Sequence, residues 1–283
     1  MIIHGYRVET IVGNTRRDLW AHGVLGLGAQ TAYYFFFSLF PILLFTAPLL
    51  AVVGDRQHTM QLILGALAPA VPREALTLVE GVLHDVVFVK GAPGVISVGA
   101  LLALWTGSNV FSSLTDALNR AFGVPETRPW WKVTLLAMSF VIGAGIAMLV
   151  ATTLFVFGKP ILHTIANTVG LGDTTVALWS IAQPVIAIGL VVAVGMAVFH
   201  VLPNVHLTWK EALLGSVTAT ALWMIVTVAF RLYTEHFSTY NKTYGTIGAV
   251  IVLLTWMYLS MLSVLVGGEV ASEVHDGAGK IAA

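Results

Sequence analysis

Polar residues recur on one side of the otherwise apolar stretch 94–132, and these groups could bind a polar molecule inside a membrane. On a helical wheel of 100° per residue they fall within roughly 140° of arc. We call them the polar stripe: Thr106, Asn109, Ser112, Ser113, Asp116, Asn119 and Arg120. Amides, hydroxyls and charges in one line either contact a polar solute or lipid headgroup, or hold neighbouring helices together by hydrogen bonds.

The stripe lies in a segment long enough to cross a membrane. Residues 91–115 contain no charged side chain, and a transmembrane helix needs about 20 mainly apolar residues. We therefore expect Asn109 within the hydrocarbon and Asp116 and Arg120 near the exit from it. Polar groups at such a depth must face protein or water. A polar path and simple helix packing both satisfy this requirement, so both interpretations stay open.

The composition indicates a membrane protein. The chain has 283 residues, a mean hydropathy of +0.88 and only 10% charged residues, whereas soluble proteins carry about 25%. Its 14 acidic residues balance its 14 lysines and arginines, which disfavours a nucleic-acid partner. The absence of cysteine excludes disulfides, thiol catalysis and thiolate metal sites.

Charged residues divide the sequence into uncharged runs, each long enough to span a bilayer. We predict an all-α polytopic membrane protein that forms a single domain over residues 1–283, with six transmembrane helices. Their expected positions are about 29–53, 94–115, 133–157, 175–200, 212–233 and 245–268. Residues 20–28 should lie along the membrane interface. The lysine and arginine counts of the flanking segments favour cytoplasmic N- and C-termini.

Residues 54–91 are predicted to form an extracytoplasmic amphipathic helical loop. Polar and apolar residues recur there on opposite faces of a helix. The polar set is Arg73, Thr77, Glu80 and His84, and the apolar set is Leu76, Val79, Leu83 and Val86. Such a loop either packs on the helix bundle or lies on lipid. Small residues also repeat every four positions in two spans, Gly99-Ala103-Gly107 and Ser263-Gly267-Ala271, which favours close helix packing.

The sequence contains no recognisable catalytic constellation. Its nine histidines form neither His-x-His nor His-Glu-x-x-His pairs, and there is no P-loop and no Gly-x-Ser-x-Gly elbow. We therefore expect no enzymatic activity, no metal and no cofactor.

Several short motifs along residues 15–275 together resemble one family, the YihY/BrkB bacterial membrane proteins. The motifs are Tyr33-Tyr34, Ser38-Leu39-Phe40-Pro41, Leu104-Trp105 with Ser108, Asp116-Ala117-Leu118-Asn119-Arg120-Ala121-Phe122-Gly123, Leu202-Pro203-Asn204, Trp209-Lys210-Glu211-Ala212, Tyr244-Gly245-Thr246-Ile247-Gly248-Ala249 and Gly267-Gly268-Glu269. The resemblance implies a six-span inner-membrane protein with both termini cytoplasmic. Some members have carried the label ribonuclease BN, which is widely regarded as a misassignment.

The leading hypothesis is an integral inner-membrane transporter or lipid-handling protein whose partners are membrane lipids. Its polar path would follow the second span, with the residue at the inner end of the sixth span as a partner. The candidate residues are Asn109, Ser112, Asp116, Asn119, Arg120 and Glu269. The alternative is a structural membrane component in which these residues only pack helices. A membrane-bound ribonuclease is the third and least favoured possibility, because the sequence offers neither a metal centre nor a basic RNA surface.

Overall fold

The computed structural model describes residues 2–3, 6–53, 61, 64–65, 76–78, 80–81, 93–147, 150, 172–236 and 238–282. Apart from a short antiparallel pair, Ile2–Ile3 with Tyr6–Arg7, the regular structure in these ranges is helical. The helices are α1 (Val8–Ala21), α2 (Val24–Val53), α3 (Pro93–Ala121), α4 (Trp130–Ala147), α5 (Gly172–Val201), α6 (Trp209–His236) and α7 (Ser238–Ala282). The predicted all-α class is confirmed.

Within the described residues, four helical segments are long and apolar enough to cross a membrane: Trp130–Ala147, Ala182–Val201, Trp209–Thr234 and Ile247–Gly277. The bent pair Gly13–Ala21 and Val24–Ile42 would be a fifth. Helix α3 is not among the spans found in the described residues. The prediction of six spans is therefore not confirmed by length and composition. The end of the predicted third span, beyond residue 150, lies outside the described residues.

The first helical pair differs from the expected interfacial segment at 20–28. Helix α1 continues through Trp20, the helical structure is interrupted at His22 and Gly23, and α2 begins at Val24. The two helices meet at an angle of 67°. Gly23 has a φ of 67°, a left-handed conformation that ends helices and that glycine adopts without strain. Gly23 therefore sets the bend between the two helices. The position of this bend cannot be predicted from the uncharged runs of the sequence.

Helix α7 lies at the centre of the packing. Its residue Leu265 belongs to a buried apolar cluster that also contains Leu118 and Phe199, and its residue Trp256 belongs to a second cluster with Phe230. Helices α6 and α7 meet at glycine. A Cβ atom at Gly267 would lie 2.6 Å from the carbonyl oxygen of Gly215, so a larger residue would force the two backbones apart.

Several helix ends meet at one end of the bundle. Asn14 Nδ2 donates to Glu273 Oε2 at 3.0 Å, Ser272 Oγ donates to the Ala121 carbonyl at 2.7 Å, and Asn204 Nδ2 donates to the Pro125 carbonyl at 3.0 Å. These bonds join α1, α3, α7 and the segments that follow α3 and α5. We call this region, residues 14–22, 119–130, 200–211 and 269–276, the common end.

Part of the predicted outer loop contacts the bundle. Leu78 is half-buried and packs against the cluster that contains Trp256 and Phe230. Thr77 and Glu80 are exposed. The contact of Leu78 favours packing on the bundle over lying on lipid, while most of the segment 54–91 lies outside the described residues.

The lysine and arginine distribution predicts which end of the bundle faces the cytoplasm. The chain has no cysteine, so Glu80→Cys and His206→Cys, both at exposed positions, can be made without background. An impermeant thiol reagent applied to intact cells should label position 80, and position 206 only after the membrane is opened. Labelling of position 206 in sealed cells would reverse the orientation.

Candidate functional site along the third helix

The polar stripe of α3 is buried towards both of its edges, at Ser113 and Asn119, and more exposed between them. Ser113 and Asn119 are buried at 3% and 4% exposure. Asn109 and Ser112 are half-buried, whereas Asp116 and Arg120 are exposed. Thr106 donates its hydroxyl to the Leu102 carbonyl of its own helix at 2.8 Å. The structure therefore places the residues of the stripe in different environments, although they share one helix.

The buried edge at Ser113 fixes α3 to α2 through two hydroxyl groups. Thr31 Oγ1 lies 2.8 Å from Ser113 Oγ and donates its own proton to the Leu27 carbonyl at 2.8 Å. A hydroxyl has a single proton to donate, so Ser113 must be the donor to Thr31. Thr31 is fully buried. This part of the stripe packs helices, as the structural interpretation predicts.

Asn119 has both ends of its amide occupied. Its Nδ2 donates to Glu126 Oε2 at 2.9 Å, and its Oδ1 accepts the backbone N–H of Asn204 at 2.7 Å. These contacts tie the end of α3 to the loop after it and to the turn after α5. In the described part of the chain, Asn119 therefore joins α3 to two neighbouring segments.

Glu126 and Arg128 form the centre of this network. Arg128 donates its Nε to Glu126 Oε1 at 2.8 Å and its Nη2 to Glu126 Oε2 at 2.7 Å. The same Nη2 donates to the Leu202 carbonyl at 2.7 Å. The hydrogen bonds from Arg128, assisted by Asn119, lower the pKa of Glu126 to about 2. Sequence reasoning missed both residues, because a charged pair in a short loop looks like ordinary solvated sequence.

The middle of the stripe belongs to a face of α3 that we call the open face. It combines large exposed apolar residues in the first half of the helix with polar residues in the second half: Val98, Leu101, Leu102 and Trp105, then Asn109, Ser112, Asp116 and Arg120. Within the described part of the chain, the side chains of the four polar residues have no hydrogen-bond partner, and Asp116 forms no salt bridge with Arg120.

The polar half of the open face extends deep into the helix. At about 1.5 Å per residue, the rise from Asn109 to Arg120 is roughly 16 Å. A bilayer core is about 30 Å thick. Polar groups therefore extend along the open face for a length of about half the bilayer core.

Glu269, the predicted partner of the stripe, lies elsewhere. It is only 2% exposed, and its Oε1 lies 2.9 Å from Nδ1 of His22 on α1. In the described residues no side chain of the stripe bonds to it. The histidine was missed because it is 247 positions away in sequence.

Comparisons with known proteins place the chain in a family. A sequence model of the family described as Virulence factor BrkB matches residues 15–282. The chain belongs to the BrkB family. Its resemblance to these proteins, inferred above from short motifs, is confirmed, and this BrkB-family protein is a multi-pass membrane protein.

Individual relatives agree with this assignment. The BrkB-family chain is 33% identical over 247 residues to a Bacillus subtilis (strain 168) protein named "Putative ribonuclease-like protein YfkH", which covers 87% of this chain and 88% of that protein. It is 26% identical to UPF0761 membrane proteins of Tolumonas auensis and Rhodospirillum centenum, covering 68% and 97% of this chain. The matches span only 62% and 60% of those two relatives. No solved structure matches the chain.

The lowered pKa of Glu126 predicts a pH-dependent stabilisation of the common end. Because the pKa falls from 4.5 to about 2, the charged carboxylate stabilises the folded state above about pH 4.5, and this contribution disappears as the pH falls toward 2. Glu126→Gln should lower the free energy of unfolding at pH 7 by about 1–2 kcal/mol.

The measurement is thermal unfolding in detergent between about pH 3 and pH 7, with Glu80→Gln, at an exposed position, as the matched control. The difference between Glu126→Gln and the unchanged protein should shrink as the pH falls. A difference that stays constant with pH would show that Glu126 acts through its shape and not through its charge.

Proposed function

We propose that this BrkB-family protein is a lipid-handling transporter of the bacterial inner membrane and that a phospholipid headgroup moves along the open face of α3. The observation that carries the proposal is the polar half of that face, which begins at Asn109 in the middle of the helix and whose side chains have no hydrogen-bond partner among the described residues. The proposal includes no catalytic activity and no nucleic-acid partner, and it takes membrane lipids as the protein's ligands.

The division of the stripe supports a path in preference to helix packing. Ser113 and Asn119 already join α3 to its neighbours through short hydrogen bonds, so packing accounts for the buried edges. It does not account for Asn109 and Ser112. An amide in hydrocarbon without a hydrogen-bond partner is costly, at roughly 2–7 kcal/mol on transfer scales. A polar ligand or water that reaches Asn109 removes this cost.

The order of residues on the open face supports a phospholipid as the ligand. The exposed fractions of Leu101 and Trp105 are 68% and 58%, so the first half of the face suits acyl chains. Asp116 and Arg120 carry opposite charges one helical turn apart and do not pair with each other. An ammonium group fits the carboxylate, and a phosphate fits the guanidinium. A zwitterionic headgroup such as phosphatidylethanolamine presents both.

Six membrane crossings agree with the contacts at the common end. Helix α2 leads away from the common end and α3 returns to it. In the same way α4 leads away and α5 returns, and α6 leads away and α7 returns. Each departure and return requires an even number of crossings. Helices of 28–30 residues, as in α2, α3, α5 and α6, are about 42–45 Å long and suffice for one crossing each. Arginines at positions 17, 120 and 128 of the common end favour its cytoplasmic placement, with both termini inside.

Lipid movement in proteoliposomes tests the proposal. Vesicles of phosphatidylethanolamine and phosphatidylglycerol, with a trace of fluorescent phosphatidylethanolamine, should exchange that lipid between leaflets faster with protein than without. Asn109→Leu and Arg120→Gln should reduce this rate by roughly tenfold or more, because each removes a group that replaces headgroup hydration. Both variants should unfold at the same temperature as the unchanged protein.

Ser113→Ala is the control, since it lies on the same helix and removes a buried hydrogen bond. It should lower the free energy of unfolding by about 1 kcal/mol while the folded fraction keeps its transport rate. No lipid movement by a folded protein would leave the structural component as the standing interpretation. The same conclusion follows if Asn109→Leu lowers stability and rate together, since Asn109 would then act in packing.

The name of the Bacillus relative motivates a separate test for ribonuclease activity. We expect purified protein to leave RNA intact, because the described residues show no grouping of three or more metal-binding side chains that could hold a metal ion. The assay follows fluorescent RNA across successive chromatographic steps. Cleavage that co-elutes with the protein and disappears in His200→Ala or Glu269→Gln would contradict the expectation.

A further inference from the structure

Two helices meet at the common end through a ladder of polar side chains, which we call the acidic seam. Its first three residues, spaced four apart, are Asn14 and Asp18 on α1 and His22 directly after α1. On α7 its residues are Glu269, Glu273 and Asp276, spaced four and three apart. Residues three or four apart share one face of a helix. The seam is therefore a single antiparallel contact between two helix faces that are far apart in sequence.

The contacts of the seam are short and partly buried. His22 Nδ1 lies 2.9 Å from Glu269 Oε1, and Asn14 Nδ2 donates to Glu273 Oε2 at 3.0 Å. The carboxyl group of Asp18 is within hydrogen-bonding reach of Glu273. Two carboxyl groups can share a hydrogen bond only if one of them holds a proton. The Asp18 and Glu273 carboxyl groups therefore repel each other unless one of them binds a proton.

Acidic groups outnumber basic groups in the seam. The charges acting on Glu269 come from His22 and Asp18 on α1 and from Glu273 on its own helix. Arg17 bonds Asp18 at 3.1 Å, but its side chain is 75% exposed, so water screens it. A buried carboxylate without a cation or proton strongly destabilises its surroundings. Closure therefore depends on protons held by His22 and by the carboxyl groups.

Among the described residues, no charged group of the other helices packed on α7 pairs with the seam, and Lys210 of α6 is exposed. Helix α2 contains no charged residue. Helix α6 presents Glu211, which pairs with His275 at 3.3 Å, and on α3 Asp116 and Arg120 belong to the open face. A change in the charge of the seam must therefore be compensated by groups within the seam or relieved by movement of α1.

The chain has a bend at the residue where such movement would occur. His22 lies between α1 and α2, next to Gly23 with its φ of 67°. Short segments that change direction at a glycine are common hinges. Between Asn14 and Asp18, the side chain of Thr15 is buried, and its hydroxyl has no partner within the described residues.

We propose that the acidic seam is a proton-operated latch: protons on His22 and its facing carboxyl groups hold α1 against α7, and their loss releases α1 at the His22–Gly23 bend. Carboxyl groups that hold a proton in the closed seam lose it as the pH rises. The latch is therefore closed at mildly acidic pH and opens as the pH rises. This inference goes beyond the proposed function and does not depend on it.

Thiol protection at position 15 measures the latch directly. In the cysteine-free chain, Thr15→Cys places a thiol under the closed seam, and Gly13→Cys places one at an exposed position of the same helix. The ratio of maleimide labelling rates, position 13 over position 15, cancels the general effect of pH on thiols. The full-length protein in vesicles should show a ratio that falls by about tenfold or more from about pH 6 to about pH 9.

Two variants in the seam should shift this profile in opposite directions. Glu269→Gln is neutral and can still bond His22, so the ratio should stay high across the range. His22→Gln removes the cation, so opening should occur at lower pH. His206→Gln, at an exposed position, is the matched control and should leave the profile unchanged.

A pH-independent ratio in the unchanged protein would overturn the latch, and so would a Glu269→Gln profile identical to that of the unchanged protein. If Glu269→Gln does not fold, Asp18→Asn takes its place with the same expectation of a flatter profile. The readout is labelling alone, so a failure of lipid movement leaves this test unaffected.

Discussion

The structure depends on one constraint: polar groups removed from water must find partners in the protein. In a chain with 10% charged residues, the ion pairs and the amide network of the described residues are concentrated at the common end. There Glu126 bridges Asn119 and Arg128, and Glu269 pairs with His22. Away from this end the helices are joined mainly by shape, as where Gly267 meets Gly215. Polar bonding therefore fixes one end of the bundle and close packing aligns the rest.

The sequence is sufficient to predict the helices and the position of the stripe, because charge-free runs and helical periodicity are local properties. The second predicted span, 94–115, lies within α3, whose extra turns to Ala121 carry Asp116 and Arg120. The strip Ser263-Gly267-Ala271 is indeed buried. The start of α2 could not be predicted in this way, because it depends on the conformation of Gly23 and not on hydrophobicity.

The partners of the site residues could not be predicted from the sequence for a geometric reason. The helical wheel, on which the stripe covers roughly 140°, gives the direction of each residue on its own helix. It does not show where the neighbouring helices lie. Helix α2 covers the side on which Ser113 lies, and the turn at Asn204 covers Asn119. The side of Asn109 and Asp116 is left uncovered by the described residues. One periodic signal thus contains packing residues at both edges and open residues between them, and only the three-dimensional arrangement separates the two kinds.

The contacts of α2 decide which element moves if the acidic seam opens. A Cβ atom at Gly28 would lie 2.7 Å from Leu262 of α7, and Thr31 is bonded to Ser113 of α3. Helix α2 is thus held on two sides within about two turns of the bend. Helix α1 is held mainly by the seam and by Leu19, which packs against the apolar cluster of Leu27 and Leu118. Release of the seam therefore moves α1 about Gly23 and leaves α2 and α3 in place. The open face therefore keeps its geometry in both states of the latch. The protonation of the seam can control access to the common end without changing the surface along which we propose that lipids move.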